Sequence, residues 1–399
     1  MVRVGGNPGR NIVTGVAPGR ARTLGGLILL GVANHMVLAG SRVVVSLDAL
    51  SRGASPLVVG VLMALYAFLP MLFAVVAGRL TDRVGARRPM LLGSTGIVAG
   101  AALPFAVSGL APLFLSATLV GAGFMVFQVA AQNATGDLGG PSERATNFSQ
   151  LALGYSVSGF LGPLIAGFTI DHAGFTAAFG AFVAISFVPL AVLASGRPAL
   201  PGPRAQAAVV QHGGVRALLR HKTLRRVFAI NALLAVGWEL HTIFVPIYGA
   251  KLALSASAIG IVLSAFAAAT FVVRFAMPAI ARRYGEHQVL TGALFVAGAV
   301  YLVFPFARSV ATLLPLSFCL GLGLGSGQPM VMALLHTHAP PGRTGEAVGV
   351  RMSLVQSMSV AVPLVFGALG TTVGLAPVFW SVGACLTAAG VLSRRRAAA

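Results

Sequence analysis

Eight acidic side chains are spread through the 399 residues of this chain, and one of them sits far from any break in its apolar surroundings. Asp48, Asp82, Asp137, Glu143, Asp171, Glu286 and Glu346 fall where hydrophobic runs begin or end, whereas Glu239 lies midway between Arg226 and Lys251 inside one. At about 1.5 Å of rise per residue, that places the carboxyl near the centre of a membrane-spanning helix. A charge at that depth is expensive, and it is kept where it serves an ion path, a substrate or a buried partner. Reversible protonation of Glu239 is the chemistry this position suggests. His35 holds a similar depth, midway between Arg22 and Asp48. Histidine titrates near neutrality, so His35 is a second proton-coupling candidate, against a plain packing role.

Other polar residues recur at helical spacing nearby. His35 and Arg42 lie two turns apart on one face, with Asn34 adjacent, and Asn231, Glu239 and Thr242 share a stripe edged by Trp238. Gln128 and Gln132 stack one turn apart, and Gln328 stands in a comparable run. Asn34, Gln128, Gln132, Asn231, Trp238 and Gln328 are therefore the candidates for lining a substrate cavity. Arg42, Arg274 and Arg351 also fall inside apolar runs, three cations against one acid. That balance suits contacts to an anionic metabolite; the alternatives are snorkelling to the interface and, for Arg351, a pair with Glu346. No metal site is expected: His336 and His338 point to different faces, and Cys319 and Cys385 lack paired spacing. The chain has no phosphate-binding G-x-x-x-x-G-K-[ST] loop and no nucleophile–base arrangement, so neither a cofactor nor an enzymatic role is expected.

The elements that must position these residues are long apolar helices. The composition is 57% hydrophobic and 9% charged, with a mean hydropathy of +0.89, whereas soluble proteins carry roughly a quarter charged residues. Twelve runs can cross a bilayer: 24–48, 56–78, 89–108, 111–134, 145–170, 174–195, 224–250, 256–280, 288–306, 310–335, 346–370 and 375–392. A net charge of +20 would suggest nucleic acid in a soluble chain, but its placement argues otherwise. Most of the 28 basic residues fall in the termini and alternate loops, such as Arg79, Arg83, Arg87, Arg88, Arg220, Arg225, Arg226 and Arg394, and few fall on the opposite side. This is the positive-inside pattern, which predicts cytoplasmic termini and no nucleic-acid partner. Residues 1–22 resemble a targeting segment in being basic and free of acids, but the apolar run that follows is too long for a signal-peptide core. Arginine far outnumbers lysine and alanine is abundant, as in GC-rich bacterial genomes, so a bacterial inner membrane is expected.

Residues 196–222 interrupt the pattern with Pro198, Pro201, Pro203, Gly213-Gly214 and several basic side chains. The sequences on either side align without gaps at an offset of 200. Gly60 matches Gly260, Arg83-x-Gly85 matches Arg283-x-Gly285, Gly121-x-Gly123 matches Gly321-x-Gly323, and Gln128, Pro141, Pro163 and Gly167 match Gln328, Pro341, Pro363 and Gly367. A duplicated six-helix unit follows, with a site at the repeat interface. The expected organisation is an N-terminal tail 1–22, a six-helix bundle 23–195, a linker 196–222, a second bundle 223–393 and a tail 394–399.

Between the second and third runs lies Gly78-Arg79-Leu80-Thr81-Asp82-Arg83-Val84-Gly85-Ala86-Arg87-Arg88, one acid among four arginines. The pattern G-x-L-x-D-R-x-G-x-R-R resembles the loop 2–3 signature of the major facilitator superfamily, and with the duplicated halves the resemblance covers nearly the whole chain. It implies an all-α polytopic membrane protein of the facilitator fold, twelve helices in two pseudo-symmetric six-helix bundles, with helices 1, 4, 7 and 10 lining a central cavity. It also implies a conformational-switch role for Gly78, Asp82, Arg83, Gly85, Arg87 and Arg88, with Asp82 pairing with basic groups at neighbouring helix ends. Gly162-Pro163-Leu164-Ile165-Ala166-Gly167 is similar to the G-P-x-x-G-G element of proton-coupled efflux members, though Gly162, Pro163 and Gly167 equally suit helix packing. One departure is Ala117, where many proton-coupled exporters carry a helix-4 arginine. Coupling must then use other residues.

The expected function is secondary transport of a small organic compound by alternating access, favouring proton-coupled efflux. Proton-linked or facilitated uptake of an organic anion is the alternative, and a non-transporting membrane sensor is the reading from another class. The partners expected are the lipid bilayer, protons and a small-molecule substrate, with the protein acting as a monomer.

Overall fold

The computed structural model describes residues 18–138, 143–200, 202, 215–340 and 344–395. The tail 1–17, Pro141, Pro341, most of the linker and residues 396–399 lie outside the described residues, as do the side chains of Glu346 and His336. The described chain is built of helices: α1 (Pro18–Ser51), α2 (Pro56–Val84), α3 (Arg87–Ala106), α4 (Leu110–Asp137), α5 (Arg144–Ala194), a short α6 (Val215–Arg220), α7 (Lys222–Lys251), α8 (Ala256–Arg283), α9 (Glu286–Val303), α10 (Val310–His338), α11 (Thr344–Thr372) and α12 (Leu375–Arg395). Eleven of the described helices are long and apolar enough to span a membrane. The fifty-one residues of α5 are broken at Gly174, whose φ of 81° reverses the chain, so this element supplies two crossings and the total reaches twelve.

The 78–88 motif is shorter as a loop than the sequence suggests. Helix α2 continues through Gly78 and Asp82 to Val84, and α3 starts at Arg87, so the turn itself is Gly85-Ala86. Gly85 ends α2 with a φ of 79° and donates its N–H to the Thr81 carbonyl. Apolarity stops near residue 78, but the helix does not. Arginines at its C-terminal turn favour the negative end of the helix dipole, so the helix projects beyond the apolar run.

Helices α1–α5 form one bundle and α7–α12 the other, and they meet through α2 against α11 and α5 against α8. These crossings obey the 200-residue offset. A Cβ on Gly60 would strike the Pro363 carbonyl, and one on Gly260 would strike the Pro163 carbonyl. Gly167 packs likewise against Ala256, and Gly367 against Pro56. Without a hydrophobic drive between helices in lipid, such backbone-to-backbone packing is what holds the halves together. The starts of α2 and α8 are capped alike: Ser55 Oγ accepts from Val58 N at 3.4 Å and Ser255 Oγ from Ala258 N at 3.2 Å.

At this end, remote from the 78–88 motif, side chains also cross between halves. The Asp171 carboxylate accepts from Ala256 N (3.0 Å) and Ser257 N (2.7 Å) at the start of α8. At the equivalent place Thr371 Oγ1 accepts from Leu57 N of α2 (3.1 Å). We call this the far end and the end bearing the 78–88 motif the basic end.

Candidate functional site

Among the described residues, two cavities lie at mid-depth, between the far-end caps and the basic end. The first, about 170 Å³, is walled by Leu38 and Arg42 of α1, Tyr66 and Pro70 of α2, Phe124 and Gln128 of α4, Glu239 of α7, and Gln356 and Ser359 of α11. Its centre is an ion pair across the two halves, with Arg42 Nη2 donating to Glu239 Oε2 at 3.1 Å. Ser359 Oγ donates to the other carboxylate oxygen at 2.8 Å. The guanidinium lies 5.9 Å from the centre of the Tyr66 ring, a cation–π distance. Tyr66 is oriented in turn by donating to Ser41 Oγ at 3.1 Å. Glu239 is 8% exposed, so the pair is nearly withdrawn from solvent but touches the cavity.

The second cavity, about 220 Å³, is walled by His35 of α1, Tyr155, Ser156 and Gly159 of α5, Trp238 of α7, Ala267, Thr270 and Arg274 of α8, and Gln328 of α10. Arg274 Nη1 donates to Ser156 Oγ (3.1 Å) and Nη2 to Gln328 Oε1 (2.9 Å). The His35 ring packs 4.9 Å from that of Tyr155, and its Nδ1 shares a 2.6 Å hydrogen bond with Ser158 Oγ. Trp238 stands edge-on to Phe266, with ring centres 4.7 Å apart.

The cavities are near-copies at the 200-residue offset. Ala67, Pro70, Gln128, Gln356 and Ser359 of the first correspond to Ala267, Thr270, Gln328, Ser156 and Gly159 of the second. Each is walled by both halves, which is the arrangement that lets a site open to alternate sides as the halves rock.

The sequence model described as Major Facilitator Superfamily matches residues 27–363. This chain belongs to that family. A class G tetracycline resistance protein from Vibrio anguillarum is 28% identical over 355 residues, covering 82% of this chain and 84% of its own. A class C tetracycline resistance protein from Escherichia coli is 28% identical over 342 residues with the same coverage. Among solved structures, the peptide transporter POT in complex with sulfate matches with a TM-score of 0.79 over 94% of each chain. Its 17% identity makes that a likeness of fold alone. The protein is an integral membrane transporter of the facilitator fold.

Within this facilitator the other sequence candidates are distributed unevenly. Asn34 is fully buried and donates to Ser94 Oγ of α3 at 3.0 Å, so it faces the interior of the first bundle and not a cavity. One residue along a helix is a 100° turn, which separates Asn34 from His35. Gln132 is half-buried and lines neither cavity. Asn231 and Arg351 find each other, with Arg351 Nε donating to Asn231 Oδ1 at 3.2 Å. Arg351 is 6% exposed and therefore does not snorkel. His35 and Arg42, though on one face of α1, turn into different cavities.

In the charged motif, Asp82 accepts from Asn133 of α4 at 3.5 Å. Arg87 donates twice to the Leu193 carbonyl, at 3.2 and 2.9 Å, binding α3 to the end of α5. Arg83 and Arg88 are exposed. In the helix-5 element Gly162 packs on α1 and Gly167 on α8. Sequence reasoning missed Tyr66, Tyr155, Ser156, Gln356, Ser359 and Asp171. For Gln356 and Ser359 a signal existed: they are polar, i and i+3, in an apolar run. Asp171 carried none, because a carboxylate at a span end looks solvated until the far-end contact is seen.

Proposed function

We propose that this facilitator is a proton-coupled exporter of a small organic compound. It would sit in a bacterial inner membrane as a monomer, its basic end toward the cytoplasm and its far end outward. The observation that carries the reading is the Arg42–Glu239 ion pair, which joins α1 of one half to α7 of the other beside a mid-depth cavity. While the pair is closed it is neutral as a unit. Rocking the halves apart separates the partners and strands two charges in the cavity, and a proton on Glu239 removes one of them. Conformation and proton occupancy are then linked through one contact. Tyr66 and Ser359 hold the two side chains in register from their own helices, and His35 faces the neighbouring cavity. Asp82 and the arginines around it act in the switch at the basic end.

The orientation is supported by the concentration of arginines at the basic end, and export by the similarity to tetracycline resistance proteins. With the far-end caps in place, the described conformation is closed toward the outside. The test is a screen of compound accumulation in cells expressing wild type or Glu239→Gln, with and without a proton uncoupler. Export predicts lower accumulation with wild type alone, erased by the uncoupler. Pumping by Glu239→Gln at the wild-type rate would remove Glu239 from the coupling step, and accumulation that rises with wild type would reverse the direction.

A further inference from the structure

Three arginines lie within the spans, and the structure separates their roles. Arg42 is spoken for by Glu239. Arg351 meets Asn231 and the Met352 sulfur and is on the wall of neither cavity. Arg274 lines the second cavity, and its partners among the described residues are neutral, Ser156 and Gln328. A guanidinium has five N–H donors in a planar fork; here two bonds, one from each terminal nitrogen, go to protein. A half-buried cation with no carboxylate among its described partners is costly unless something supplies the opposite charge.

The wall that carries Arg274 also carries two aromatic side chains. Trp238 is fixed by Phe266 behind it, and Tyr155 stands on the α5 side. Small residues complete it: Gly159 occupies the place equivalent to Ser359, and a Cβ there would lie 3.8 Å from that of Ala267. Where the first cavity has a serine hydroxyl donating to its own glutamate, the second has Gly159 and no side chain at that place. We infer that this second cavity binds an aromatic monocarboxylate, its carboxylate on the Arg274 fork and its ring between Trp238 and Tyr155. One negative charge suffices, because the Arg42–Glu239 pair next door already balances itself. This inference rests on the reading of the cavities as the transport site but not on the coupling ion or direction.

The experiment uses the full chain in detergent with Trp380→Phe, which leaves Trp238 as the remaining indole of the chain's two. Its fluorescence is titrated with benzoate and with the neutral isostere benzamide. The expected result is at least tenfold tighter binding of benzoate. In Arg274→Gln that preference disappears, with benzamide affinity changed less than twofold, and Arg274→Lys retains part of it. The wild-type comparison needs no arginine variant, so a folding defect in Arg274→Gln leaves the test intact. Equal affinity for the two probes, no binding of either, or a benzoate preference that survives in Arg274→Gln would each overturn the inference. Benzoate binding that persists when the uncoupler experiment fails overturns the proton coupling alone.

Discussion

The two cavities share a frame and differ in charge. Gln128 and Gln328, and Ala67 and Ala267, occupy equivalent places on their walls. Yet the first cavity contains a closed ion pair, Arg42 with Glu239, and the second contains Arg274 with neutral partners. The position equivalent to Arg274 is Ala74, and that equivalent to Glu239 is Ala39. Duplication therefore copied the packing and left each side to acquire its own chemistry. One side became self-neutralising and bridges the halves, and the other was left with a net positive charge facing open space. The same division holds at the far end, where Asp171 caps α8 with a charge and Thr371 caps α2 without one.

The largest expected effect probes the closed pair. Arg42→Ala leaves Glu239 without its counter-charge, and removing one partner of a buried pair costs about 3–5 kcal/mol. The side chains are 16% and 10% exposed, so the lower end is expected in thermal unfolding, together with loss of transport. The double replacement Arg42→Met with Glu239→Gln restores much of the stability and none of the coupled transport. Recovery of coupled transport in the double variant would break the assignment.

Next comes the shared frame. Gly60→Ala and Gly260→Ala each push a methyl into a carbonyl of the opposite half, at about 1–3 kcal/mol apiece for overpacking. Their unfolding temperatures should fall by similar amounts. A large fall for one and none for the other would show that the two crossings do not carry equal weight.

The far-end caps should show the asymmetry directly. Asp171→Ala removes acceptors for two backbone N–H groups and Thr371→Ala for one. Loss of a cap costs about 0.5–2 kcal/mol, with Asp171 at the upper end. Labelling of a cysteine placed at the far end of the cavity should rise more for Asp171→Ala than for Thr371→Ala. Equal labelling would remove the distinction between charged and neutral caps.

The smallest effect on stability is expected at Arg274. Its replacement by glutamine removes a charge that no carboxylate among the described residues balances, so stability should change by less than about 1 kcal/mol or rise. Arg42→Ala and Arg274→Gln would thus differ sharply in unfolding temperature although both delete an arginine from a cavity wall. A loss at Arg274 as large as at Arg42 would contradict the described difference between the cavities.

Much of the fold was legible in the sequence, because a bilayer demands about twenty apolar residues per crossing and the chain repeats that demand twelve times. The break at Gly174 fell where two runs abut. The reach of α2 to Val84 was not legible, since hydropathy reports where the membrane ends and not where backbone hydrogen bonding does. For the site, the depth of Glu239 singled it out, but its partner did not stand out. Arg42 is far away in the chain and was grouped with the other arginines as an anion contact. Asn34, a cavity candidate by sequence, donates to Ser94 within the first bundle.

By itself the sequence determined what local composition can encode: membrane insertion, twelve spans, the duplication and the residues too polar to sit in lipid. These follow from runs and offsets along one chain. Which polar groups meet was decided by the tertiary structure alone. Arg42 and Glu239 lie on different halves, and so do Asp171 and the start of α8. A side chain's direction depends on helix rotation and on how closely the glycine-lined crossings let two backbones approach. Those are properties of the packed bundles, and they turned three similar arginines into one ion-pair partner, one structural donor and one cation facing an open cavity.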